Sequence, residues 1–144
     1  MAPNPVTIGE SMRPLLAALT LSLVAAPAAR ADETGYGAGL YVSHCAACHG
    51  MEATGDGPMA GLITIATPDL TQLAAQNDGV FPLARVVQTI DGRVALRGHG
   101  GPMLVFGQVL GGGSAVVDAP DGTPIQTRGD IVAIAEYLAT IQTD

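Results

Sequence analysis

The chain has 144 residues, six basic against thirteen acidic, for a formal charge of −7, and the deficit of cations excludes binding to nucleic acid or to an anionic membrane through charge. Two cysteines are too few for a disulfide framework, and one domain is all the length supports once a leader is set aside. No lysine and no tryptophan occur, and the five Tyr and Phe side chains are few for building a core.

Residues 1–31 have the layout of a secretory signal. Arg13 precedes an apolar run from Leu15 to Ala26, and Ala29-Arg30-Ala31 supplies the small-x-small pattern of a cleavage site. The run is too short to span a bilayer. The segment before Met12 carries no Lys or Arg, which points to Met12 as the true start. Cleavage after Ala31 leaves a domain over 32–144, and export to the periplasm is the implied destination. In that domain twelve acidic residues face Arg85, Arg93, Arg97 and Arg128. Partners presenting positive charge suit it, and a stable membrane insertion of the mature chain does not.

A helix is expected from Thr34 to His44. Its three glycines each cost about 1 kcal/mol against alanine, so close packing must repay them. Gly37 and Tyr41 stand one turn apart on a single face, where a second helix can cross tightly at the glycine.

Cys45-Ala46-Ala47-Cys48-His49 follows, and both cysteines of the chain lie in it. The spacing is that of a c-type haem attachment site, two thiols on one helical turn with an imidazole beside them. A thioredoxin-like pair would need a preceding strand in a βαβ setting. A zinc site would need two further ligands, and His44 and His99 are poorly spaced for them. A buried porphyrin would also be the staple that so small a domain needs.

Residues 50–66 read as a loop, with Gly55, Gly57, Pro58 and Gly61. Thr67-Pro68-Asp69 then reads as a helix start, Thr67 being the N-cap, with the helix running to about Gln76 and closed by Asn77-Asp78-Gly79. A further helix starts at Pro82, buries Leu83, Val86, Val87 and Ile90, and ends on Gly92. Asp121-Gly122 between Val116-Val117 and Ile125 suggests a small hairpin. The last helix is capped by Asp130 and carries the stripe Ile131, Ile134, Ala135, Leu138 and Ile141.

An iron held by one imidazole keeps a sixth position, and its occupant decides between electron transfer and chemistry on a bound molecule. His49 is the proximal ligand by position. His44 and Met51 lie too near the attachment turn to reach the opposite face, and Met59 sits in the glycine-rich loop. Met103, in the extended run Gly100-Gly101-Pro102-Met103-Leu104-Val105-Phe106-Gly107, is favoured on chain length and setting, with His99 as its rival. A sulfur donor raises the reduction potential, whereas a second imidazole lowers it.

Taken together, these pieces make residues 37–142 resemble the monohaem class I cytochromes c of bacterial periplasms. The resemblance rests on Gly37 to Tyr41, Cys45 to Gly50, Gly55-Asp56-Gly57-Pro58, Thr67-Pro68-Asp69-Leu70-Thr71, Phe81-Pro82, Ile90-Asp91-Gly92-Arg93, Met103 to Gly107 and the terminal Tyr137-Leu138 helix. It implies an all-α class I fold around one haem c bound through Cys45 and Cys48, with the hairpin as an addition. Terminal helices would cross at Gly37 and Tyr41 against Tyr137, His49 and Met103 would be the axial ligands, and the Pro68 carbonyl would orient the His49 ring. Two departures stand out. The family usually has proline directly after the axial methionine and often Trp in the next aromatic slot, where this chain has Leu104 and Phe106. Its carriers often ring the haem edge with lysines, and here Arg85, Arg93 and Arg97 alone could pair with propionates or greet an acidic partner.

The function implied is one-electron transfer between periplasmic donor and acceptor proteins, with no catalytic residues. Two other classes compete: an enzyme or gas-binding sensor whose sixth ligand is open or labile, and a haem subunit held permanently in a larger redox complex.

Overall fold

The computed structural model describes residues 29–94 and 103–143, with side chains from Thr34 onward. Residues 1–28 of the expected leader over 1–31, Arg97 and His99 lie outside them. Helix α1 (Ala29–His44) leads through Cys45 into the single turn α2 (Ala46–His49). Helix α3 (Leu83–Asp91), the antiparallel strands β1 (Ser114–Asp118) and β2 (Pro124–Arg128), and helix α4 (Gly129–Thr140) follow. Short 3-10 turns at Ala60–Leu62, Leu70–Gln72, Ala75–Asn77 and Phe106–Gln108 carry the chain between them. Among the described residues no helix is long and apolar enough to cross a membrane.

Of the three glycines of α1 only Gly37 is repaid, at the crossing with α4; side chains at Gly35 and Gly39 would meet nothing within 4 Å. A methyl group on Gly37 would strike the Ala133 carbonyl oxygen and meet the Tyr137 Cβ at 3.1 Å, so only glycine admits this approach. One turn on, Tyr41 is fully buried with its ring centroid 5.4 Å from that of Tyr137. The apolar stripe of α4 (Ile131, Ile134, Ala135, Leu138) fills the core together with Val86, Val87 and Ile90 of α3. These are the positions that helical periodicity marks.

Three expectations need correction. Residues 67–76 do not form an α-helix but two separate 3-10 turns, and their cap is Asp69, whose carboxylate accepts from the Thr71 N–H at 2.8 Å and from the Thr71 hydroxyl at 2.6 Å. Thr67 has a buried hydroxyl with no partner. The segment is held by tertiary bonds instead: the Gln142 side chain donates to the Leu70 carbonyl and accepts from the Ala74 N–H, both at 2.8 Å. Helical bonds within the segment therefore have a competitor. Asp130, in turn, does not cap α4. It lies inside the first turn, buried, and accepts from the Gly111 N–H at 2.9 Å and from the Tyr36 hydroxyl at 2.7 Å, joining α1 and the loop before β1 to the start of α4. Finally, α1 begins at Ala29 rather than near Thr34.

The hairpin forms where the turn residues place it. Val117 pairs with Ile125 and both point inward, while Gly122 at φ 80° closes the connection through the Gly122 N–H to Ala119 carbonyl bond of 2.8 Å.

Candidate haem site

The attachment turn rests on α1 and is clamped by the loop after it. The Cys45 N–H donates to the Tyr41 carbonyl at 2.8 Å, and the His49 N–H to the Cys45 carbonyl at 2.9 Å, so α1 runs almost unbroken into the turn. The buried Tyr41 hydroxyl donates to the Gly50 carbonyl at 2.7 Å and so fixes the exit as well. Its role was absent from the sequence reading, where Tyr41 figured only as a packing residue. Burial pushes the phenol up from its ordinary value, and it stays a donor across the neutral range.

The glycine-rich loop then doubles back over the turn. The Gly55 N–H donates to the His49 carbonyl at 2.8 Å, the Gly57 N–H to the Cys48 carbonyl at 3.2 Å and the Met59 N–H to the Ala47 carbonyl at 2.9 Å. The last carbonyls of a helix need such partners. A side chain at Gly57 would lie 2.6 Å from the Ala47 and Cys48 backbone, which explains the glycine there by close approach.

His49 is buried, and its ring nitrogen Nδ1 lies 3.2 Å from the Pro68 carbonyl oxygen. A carbonyl only accepts, so Nδ1 carries the hydrogen and Nε2 keeps its lone pair. Burial lowers the tendency of the ring to protonate, against a smaller opposing pull from the Pro68 bond. The result is a neutral imidazole with a fixed tautomer, the form in which histidine binds a metal.

Cys45 is buried and Cys48 partly buried, and the two are not joined to each other. Desolvation, with the neighbouring Cys48 adding to it, pushes the Cys45 thiol up to about 11. A disulfide-exchanging pair needs the opposite, an attacking thiol held at or below its ordinary value. Among the described residues no group of three or more His, Cys, Asp or Glu side chains is placed to hold a metal ion. A zinc site would need donors from elsewhere. The donor set thus fits a haem c: two thiols three positions apart on one turn, and a neutral imidazole beside them.

Of the other candidate donors, Met51 and Met59 are exposed, at 62% and 45%, and His44 packs edge-on to Phe106 with centroids 6.2 Å apart. Met103 is half-buried against the core, and the residues that follow it are seated on the end of α3. Gly92, at φ 83°, closes α3, and a methyl group there would collide with Val105; one on Gly107 would collide with Asp91. From the other side the Arg128 Nε–H donates to the Gly107 carbonyl at 2.7 Å. No local pattern announces this bond, whose partners stand 21 positions apart. Arg93 is engaged, with its Nε 2.6 Å from Asp91 and its guanidinium on the Gln126 carbonyl. Arg85 is exposed.

Residues 35–142 match the family model described as Cytochrome c. Neither a curated protein nor a solved structure gives a significant match.

Proposed function

The chain belongs to the cytochrome c family, whose members carry haem c covalently and transfer electrons to and from partner proteins, and from that premise we propose that it is a periplasmic one-electron carrier, not an enzyme, with His49 and Met103 as axial ligands. The observation that carries this reading is the His49 ring, buried, neutral and oriented by the Pro68 carbonyl. Haem c bound through Cys45 and Cys48 supplies the redox centre. The protein's own residues do the rest. Pro68 sets the tautomer of His49 and raises its donor strength. Tyr41 and the loop over 55–59 hold the attachment turn rigid, so the imidazole keeps its position when the charge on the iron changes.

The setting of Met103, half-buried in a loop braced on both sides, supports a closed sixth position. A thioether there favours the reduced metal and leaves no open coordination site. The leader pattern in residues 1–31 supports export, with cleavage after Ala31 removing the first three residues of α1. The acid-rich surface supports partners that present positive charge.

The test is the ferric absorption spectrum of the holoprotein beside those of Met103→Ala and His99→Ala. The sulfur-to-iron charge-transfer band should be present in the parent and in His99→Ala and absent in Met103→Ala. Its survival in Met103→Ala would overturn the ligand assignment. Rapid carbon monoxide binding by the reduced parent, without denaturant, would overturn the closed sixth position and favour the sensor or enzyme class.

A further inference from the structure

Arg128 occupies the N-cap of α4, a position that favours Ser, Thr, Asp or Asn and that sets a cation at the positive end of the helix dipole. Its side chain makes no capping bond. The helix therefore gives no reason for an arginine here, and the reason lies where its guanidinium goes. It holds the carbonyl of Gly107, a buried residue four positions beyond Met103.

That bond closes a circuit. Gly107 lies flush against Asp91 at the end of α3, Asp91 pairs with Arg93, and Arg93 donates to the Gln126 carbonyl of β2, two residues before Arg128. The Met103 loop is caught between the end of α3 and the end of β2. The links are unequal in strength. Arg93 is half-exposed, and ion pairs of that kind contribute little. Arg128 is also exposed, but its part-buried bond joins a charged donor to the carbonyl of a buried residue, which makes it the stronger link.

We propose that Arg128 is a positioning residue for the sixth donor: by holding the Gly107 carbonyl it stiffens the Met103 loop, where Leu104 replaces the proline that the resemblance to class I cytochromes c leads one to expect. The hairpin then has a task, since it delivers Arg128 to the loop. This inference rests on Met103 being the axial ligand.

The experiment measures imidazole affinity for the ferric holoprotein, because an added ligand enters only when the methionine leaves and the affinity reports the fraction of time the loop is open. Arg128→Ala should bind imidazole roughly tenfold more tightly than the parent, the factor expected for losing one charge-assisted bond to a carbonyl. Arg128→Lys, which retains a donor, should fall between them. Asp121→Ala loosens the hairpin at its tip, where Asp121 accepts from the Thr123 N–H, without touching Gly107, and should bind as the parent does. Parental affinity in Arg128→Ala would overturn the proposal, as would an equal rise in Asp121→Ala. Should Arg128→Ala fail to accumulate with haem, Arg93→Ala cuts the same circuit and should tighten binding about threefold, a modest factor fitting a half-exposed pair; no change would overturn the proposal. Met103→Ala separates the two failures. If it keeps the charge-transfer band, the ligand reading falls and the positioning role falls with it. If it loses the band while Arg128→Ala binds as the parent does, the positioning role alone falls.

Discussion

The attachment turn and the Met103 loop are braced in different ways. Around Cys45 to His49 the chain folds back on itself, and backbone meets backbone, Gly55 on His49, Gly57 on Cys48 and Met59 on Ala47, with the Pro68 carbonyl set on the His49 ring. Around Met103 the closing turn of α3 at Gly92 packs on the Val105 side chain, and the one hydrogen bond from a distant element is made by a side chain, Arg128, on the Gly107 carbonyl. Close backbone contact leaves no room to move, whereas a side-chain bond can open alone. The first arrangement suits a permanent attachment; the second sets how firmly one ligand is held.

The largest effect that tests this difference is expected at Gly57. In Gly57→Ala the new methyl group faces the Ala47 and Cys48 backbone at 2.6 Å, and neither side can yield by a rotamer change. A loss of about 2–3 kcal/mol is expected in denaturant unfolding of the holoprotein, with a lower yield of attached haem. Parental stability would show that the turn is less tightly clasped than its bonds imply.

Substitutions at Asp69 and Thr67 sharpen the same side. Asp69→Ala removes the cap of the 3-10 turn next to Pro68 and should cost about 1 kcal/mol. Thr67→Val replaces a buried hydroxyl that has no partner by a methyl group of the same shape, and the expected change is neutral or slightly stabilising. The reverse order in thermal unfolding would restore Thr67 as the cap.

The smallest effect concerns the junction that Asp130 makes between α1 and the far side. Its hydrogen bond raises the Tyr36 phenol above the ordinary value of 10.0. A phenol raised in the folded state contributes stability that is whole below pH 10.0 and lost as the pH rises through the folded value. Thermal unfolding of Tyr36→Phe from pH 9 upward should therefore decline less steeply than that of the parent. Parallel curves would detach the bond from the alkaline loss.

The contrast also governs what could be read before any coordinates. The turn, its histidine, the glycines beside it and the stripes of α3 and α4 are local patterns, and periodicity with motif spacing identifies each of them. Gly37 and Tyr41 were legible as one face because they stand a turn apart. The segment from Thr67 to Gln76 misled because Pro68 and its flanking polar residues favour helix initiation, while the bonds that decide its conformation come from Gln142. Asp69 as the cap had a local signal after all, an Asp two positions before a Thr, the spacing of a side-chain to backbone turn. Asp130 and Arg128 had none. Each stands at the start of α4, where an acid looks like a cap and an arginine looks solvated, and each spends its side chain on a loop about twenty residues away.

Denaturant titration of the ferric holoprotein, followed at the sulfur-to-iron band and at the far-ultraviolet helix signal, tests the asymmetry most directly. The band should vanish at a lower denaturant concentration than the helices, as the Met103 loop opens while the clasped turn and the crossing of α1 with α4 persist. A single shared midpoint, or a band that outlasts the helices, would contradict it.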